Sequence, residues 1–205
     1  MVERPWTAYL IVLVASGCTL VLELVAGRIL APFVGVSIHT WTSIIGVVLA
    51  GISLGTYLGG VLADHAGSGR ALGILLRAGG LATVAVLPLA GALGALAPRG
   101  YPLLLRIVLL TTLLFFLPSL LLGMIPPVAI KLILEGLGQA GKVVGRVYAA
   151  STVGSLVGTF LTAFVLIAYM GTRAIVLAVG LTLVALGTVA GALSRGGAGS
   201  QAAGV

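Results

Sequence analysis

Long apolar runs make up most of this chain, separated by short clusters of proline, glycine and charge. Six runs stand out, at 7–30, 38–63, 71–97, 103–125, 143–169 and 174–194. Each is long enough to cross a bilayer as a helix, which takes about 20 residues. The breaks read "APFVGVS", "DHAGSGR", "PRGYP" and "MGTR", with a longer piece from Pro126 to Lys142. Pro126-Pro127 ends the fourth run, because the second proline biases the residue before it away from helix. Behind the prolines, "VAIKLILEGLG" predicts a short helix lying at the interface, ended by Gly136 and Gly138. The pattern predicts an all-α polytopic membrane protein: a six-helix transmembrane domain over 1–195 and a flexible tail over 196–205, "GGAGSQAAGV".

Composition agrees with the pattern. Hydrophobic residues make up 60% of the chain and charged residues 7%, against about 25% charged in soluble domains. The net charge of +7 comes from 11 basic residues spread among the breaks. That is the flanking expected of membrane helices, and no basic cluster with interleaved aromatics points to nucleic acid. Arg4, Arg70, Arg77, Lys131, Lys142, Arg146 and Arg195 gather on one side, and Arg28, Arg99, Arg106 and Arg173 on the other. The excess predicts cytoplasmic termini in a prokaryotic inner (plasma) membrane. Cys18 is the only cysteine, so no intrachain disulfide forms. Although "VASGC" resembles a lipoprotein cleavage box, the apolar "TLVLELVAG" after it makes Cys18 a buried small hydrophobe. The first run is too long for a signal-peptide core and reads as an uncleaved span.

An internal repeat organises the spans. "GISLGTYL" at 51–58 and "GSLVGTFL" at 154–161 read alike, at an offset of 103 (154 − 51), and the same offset joins Arg70 to Arg173. The second and fifth spans are thus equivalents, in two three-helix halves at about 7–97 and 103–194. With an odd number of spans in each, the halves are inverted in the membrane, as within each six-helix half of major-facilitator transporters. Small residues recur every fourth position in both matched spans: Gly51, Gly55, Gly59, and Ala150, Gly154, Gly158. Such stripes let helix backbones approach closely in lipid.

Two charges lie within the first run, Glu23 and Arg28. A charge at mid-membrane costs about 2.5–3.5 kcal/mol or more. Five residues of helix turn by about 500°, so these two side chains stand about 140° apart and do not neutralise each other on a straight helix. Depth pairs Glu23 with Arg106 on the fourth span, or with Arg28 if the helix breaks at Gly27; Arg77 is about as deep as Arg106 from the opposite face. Glu23 is then either half of a structural ion pair, the favoured reading, or a carboxylate that handles protons or cations.

In "GVLADHAGSGR", the spacing of Gly60, Asp64, Gly67 and Arg70 resembles the loop motif shared by major-facilitator transporters. There the aspartate caps helix ends and pairs with basic groups at a conformational hinge. The plainer alternative is a tight loop with Asp64 as an N-cap or as the partner of Arg70. At larger scale, "LELVAGRILAPFVGVSIHTWTSIIGVVLAGISLGTYLGGVLAD" and "PSLLLGMIPPVAIKL…VGRVYAASTVGSLVGTFLTAFVLIAYMGTR" resemble the membrane region of spermidine synthase-like proteins, the fused major-facilitator/spermidine synthase family. The resemblance runs from Leu20 to Arg173. In that family a soluble aminopropyltransferase-like domain follows the membrane region. Here the sequence ends at Val205, with no strand–glycine loop–acidic residue nucleotide site.

The resemblance therefore implies a non-catalytic membrane anchor or docking platform for a partner protein, homo-oligomeric or bound to a separate subunit, with no cofactor. The alternative is a small major-facilitator-like transporter working as a homodimer on a small metabolite, cationic ones included. Polyamine transport by one copy is disfavoured, since Glu3, Glu23, Asp64 and Glu135 are the only acids. An enzyme finds little support. His39 and His65 fall near opposite membrane surfaces and share no metal-ligand spacing. Ser151, Thr152 and Ser155 have no histidine base nearby and suit interhelical hydrogen bonds.

Overall fold

A computed structural model describes residues 5–65, 68–96, 102–134 and 139–202. Gly67, Arg99, Glu135, Gly136 and Gly138, which figure in the sequence expectations, lie outside the described residues. The described elements are α1 (Pro5–Val34), α2 (Ile38–His65), α3 (Ser68–Leu96), α4 (Leu103–Gly123), α5 (Ile125–Ile133), α6 (Ala140–Leu161), a π-helical turn (Thr162–Leu166), α7 (Ile167–Tyr169) and α8 (Thr172–Ala202). Among the described residues six helical stretches are long and apolar enough to cross a membrane: Trp6–Val34, Ile38–His65, Gly69–Gly94, Leu103–Ile133, Ala140–Tyr169 and Thr172–Ala192.

Local chemistry sets the turn between α1 and α2. Gly35 takes a left-handed φ of +75° and its N–H donates to the Ala31 carbonyl at 3.0 Å, a conformation that costs least at glycine. Ser37 then caps α2, its Oγ accepting from the Thr40 N–H at 3.2 Å, which satisfies one of the orphan donors of the first turn. α1 runs unbroken through Gly27.

The fourth span departs from expectation. Pro126 and Pro127 do not end it; they stand in the first turn of α5, after a one-residue turn at Met124. Proline is tolerated there because the first N–H groups of a helix lack intrahelical partners anyway. α5 buries Ile125, Val128 and Ala129 and packs against α1, α2, α3 and α6, while Lys131 near its end is exposed. The helix α8 continues to Ala202, through much of the stretch expected to be a flexible tail. No proline interrupts that stretch, and scattered glycines cost a helix only about 1 kcal/mol each.

Three helix pairs dominate the packing: α1 with α6, α2 with α4, and α3 with α8. Contacts advance together along the first two pairs, which are parallel, and in opposite senses along the third, which is antiparallel. The core is aliphatic around Phe115, and Cys18 is buried within it. Its buried polar side chains are hydroxyls. Thr19, Thr83, Thr111 and Thr162 each donate to the carbonyl four residues back, so none needs water in an apolar interior.

Candidate functional site

The glycine stripes are the places where helices touch through bare backbone. A methyl group on Gly51 would stand 2.8 Å from Ser119 Cβ and 3.0 Å from the Phe116 carbonyl oxygen; one on Gly59 would stand 2.7 Å from Met124 Cα. Gly55 is packed onto Leu120 and Gly123 in the same way. On α6, Gly154 abuts Leu13, and a methyl on Gly158 would stand 2.5 Å from the Gly17 carbonyl oxygen. Ala150, the first member of that stripe, is only partly buried. Beside these contacts the hydroxyls of Ser16 and Ser151 share a hydrogen bond at 2.8 Å.

A third seam was not anticipated from the sequence. Gly80 and Gly180 meet where α3 crosses α8: a methyl on Gly80 would lie 2.6 Å from the Gly180 carbonyl oxygen, and the reverse distance is 2.9 Å. Gly187 rests on Gly73 and on the stem of Arg77. The available signal was a seven-residue spacing, Gly73 to Gly80 and Gly180 to Gly187, which returns to one helix face just as a four-residue spacing does.

The expected intramembrane ion pair does not form. Glu23 is half-buried on α1, seven residues from Ser16 on the same face, and among the described residues no basic group or hydrogen-bond donor reaches it. Arg106 instead extends to the last turn of α1, where its Nη2 donates to the Phe33 carbonyl. Phe33 is ten residues beyond Glu23, about 15 Å along the helix. That carbonyl is one of the orphans of a helix end, where a cation is favourable. The Nε of Arg106 is buried without a partner. Arg77 turns back on its own helix, Nε donating to the Gly73 carbonyl at 3.0 Å. Arg28 is exposed on another face of the unbroken α1.

In the loop motif, Asp64 accepts a hydrogen bond from Lys131 of α5 at 2.9 Å, with both side chains well exposed. Arg70 is exposed and is not the partner of Asp64, and a methyl on Gly60 would meet open space. His39 lies in the first turn of α2 and His65 ends it, and His65 Nδ1 donates to the Val61 carbonyl at 2.8 Å. Among the described residues no cluster of three His, Cys, Asp or Glu side chains suits a metal ion.

One cleft opens beside the π-helical turn, with a volume of about 320 Å³. Its walls are apolar, with Leu24, Ala31, Trp41, Ala163 and Ile167 among them, and Arg28 is the charged group lining it. Trp41 closes one edge by lying over Gly27, 3.0 Å from where a Cβ would stand.

Compared with protein-family models, curated proteins and solved structures, the chain matches none.

Proposed function

We propose that this chain is a non-catalytic membrane module, resembling the membrane region of spermidine synthase-like proteins, that anchors or docks a partner at the bilayer. The observation that carries the reading is the closure of its three helix pairs through bare backbone. That packing fills the interior with apolar side chains and internally bonded hydroxyls and suits a rigid support.

Two inverted three-helix repeats, as in half of a major-facilitator transporter, are part of the same proposal. Gly51 meets Phe116 and Gly55 meets Leu120; shifting all four by 103 positions gives Gly154 with Leu13 and Gly158 with Gly17, which also meet. The shift likewise turns the Arg77–Gly187 contact into the Gly180–Val84 contact, and maps the Gly80–Leu183 contact onto itself. A two-fold axis in the membrane plane accounts for this exchange. The excess of Lys and Arg on the side of Asp64 and Lys131 supports cytoplasmic termini in a plasma membrane.

A homodimeric transporter of a small metabolite, cationic ones included, is the second reading, and one observation favours it. α2 and α6, which carry the four-residue glycine stripes, belong to the two least buried spans. α2, α6 and the π-helical turn present Leu54, Tyr57, Val61, Val157, Phe160 and Phe164 outward, a surface that lipid, a partner or a second copy can cover.

Reconstitution separates the two. The module reading expects proteoliposomes to show no proton- or cation-coupled uptake of polyamines or amino acids above protein-free vesicles, and a soluble synthase-like chain to co-sediment with them. Uptake abolished by Glu23→Gln would replace the module with the transporter.

A further inference from the structure

The cleft beside the π-helical turn has an origin in the sequence. Gly51 and Gly55 match Gly154 and Gly158 at the offset of 103, but the third member, Gly59, is matched by Thr162. Gly59 lets α2 close onto Met124 and Pro127; Thr162 at the matched place is buried, its hydroxyl donating to the Gly158 carbonyl of its own helix. The helix changes to π geometry at this residue, over Thr162–Leu166, and the cleft opens against α1. π-helical turns within α-helices concentrate at functional sites.

The charges around the two matched places also differ. Pro127, which touches Gly59, corresponds to Leu24, a wall of the cleft. Lys131 corresponds to Arg28, and its partner Asp64 corresponds to Ile167. Arg28 and Ile167 both line the cleft, so the cation is kept while its acid has become a hydrocarbon. Among the described residues no carboxylate pairs with Arg28. It lies six residues from the end of α1, about 9 Å inside the helix end, at a depth from which an arginine side chain reaches headgroup level.

We propose that this cleft is a binding site for an anionic phospholipid, its phosphate held by Arg28 and one acyl chain lying along Leu24, Ala31, Ala163 and Ile167. Guanidinium and phosphate pair through short, charge-assisted bonds. The apolar walls select an amphiphile over a free anion, and the uncompensated positive charge selects an anionic over a zwitterionic headgroup.

Native mass spectrometry of the full chain in detergent tests this, with dioleoylphosphatidylglycerol and dioleoylphosphatidylcholine as probes. The parent is expected to retain phosphatidylglycerol preferentially. Arg28→Gln is expected to weaken that lipid about tenfold and to erase the preference. Arg173→Gln, which removes another arginine from the same side of the bundle, is expected to leave binding unchanged. Ala163→Phe, which fills the cleft, is expected to weaken both lipids alike. Unchanged phosphatidylglycerol binding in Arg28→Gln overturns the proposal, as does an equal loss in Arg173→Gln. Displacement of the lipid by inorganic phosphate also overturns it, in favour of a soluble-anion site. Should Arg28→Gln fail to fold, the Ala163→Phe variant decides: retention equal to the parent's excludes this cleft.

Discussion

The carbonyl oxygen of Gly17 rests against Gly158, 2.5 Å from where a Cβ would stand, so α1 and α6 meet here with no side chain between them. Gly158→Leu forces backbone apart and is expected to cost about 1–3 kcal/mol, the usual range for overpacking. Gly60→Ala, on a helix face with open space, is expected to be neutral or to add up to about 1 kcal/mol through helix propensity. Thermal unfolding of both variants in one detergent checks the pair. Equal melting of Gly158→Leu and its parent would remove backbone contact as what holds the seam.

Glu23 has no basic partner among the described residues. Glu23→Gln is therefore expected to leave stability unchanged or raise it, since a lone carboxylate in an apolar setting is replaced by a neutral isostere. Breaking a buried ion pair costs about 3–5 kcal/mol. A loss of that size on chemical unfolding would mean that an arginine reaches Glu23 in the membrane after all.

The Asp64–Lys131 pair is exposed on both sides, 67% and 50%. A double-mutant cycle with Asp64→Asn and Lys131→Gln is expected to give a coupling of about 0.2–1 kcal/mol, shrinking at high salt. A coupling of several kcal/mol that survives salt would instead make the pair the latch of a conformational hinge.

Orientation is open to a reporter experiment. A fusion after Val205 is expected to be cytoplasmic and one inserted between α3 and α4 external, by the bias of Lys and Arg. The reversed result would put Asp64 and Lys131 outside and end the likeness of their loop to a cytoplasmic transporter motif.

The six spans were legible because length and hydropathy alone decide whether a helix can cross a membrane. Close packing at the four-residue glycines was legible too, since in lipid small residues are what allow backbones to touch. The Glu23–Arg106 pairing was misread because depth within a span fixes neither the partner helix nor the direction of a side chain. Arg106 meets α1 at Phe33, where a free helix-end carbonyl attracts it. Pro126-Pro127 was misread as a stop because a proline pair can equally open a helix, and one turning residue, Met124, sufficed to restart it. The cleft left only a small mark in the sequence, a threonine at 162 where the repeat would place glycine, and its meaning depends on knowing which backbone lies opposite.

The Ser16–Ser151 contact joins residues 135 positions apart, and that separation has a consequence for biosynthesis. At about 5–20 residues per second of translation, α1 waits roughly 7–27 s before its partner is made. Of the three close pairs, only α2 with α4 can assemble before α6 and α8 emerge. α1 and α3 must spend that interval facing lipid or the insertion machinery, with their glycine faces uncovered. Insertion should therefore run ahead of assembly by many seconds, and a chain halted after α5 should hold its first and third helices loosely, as ready substrates for membrane quality-control proteases.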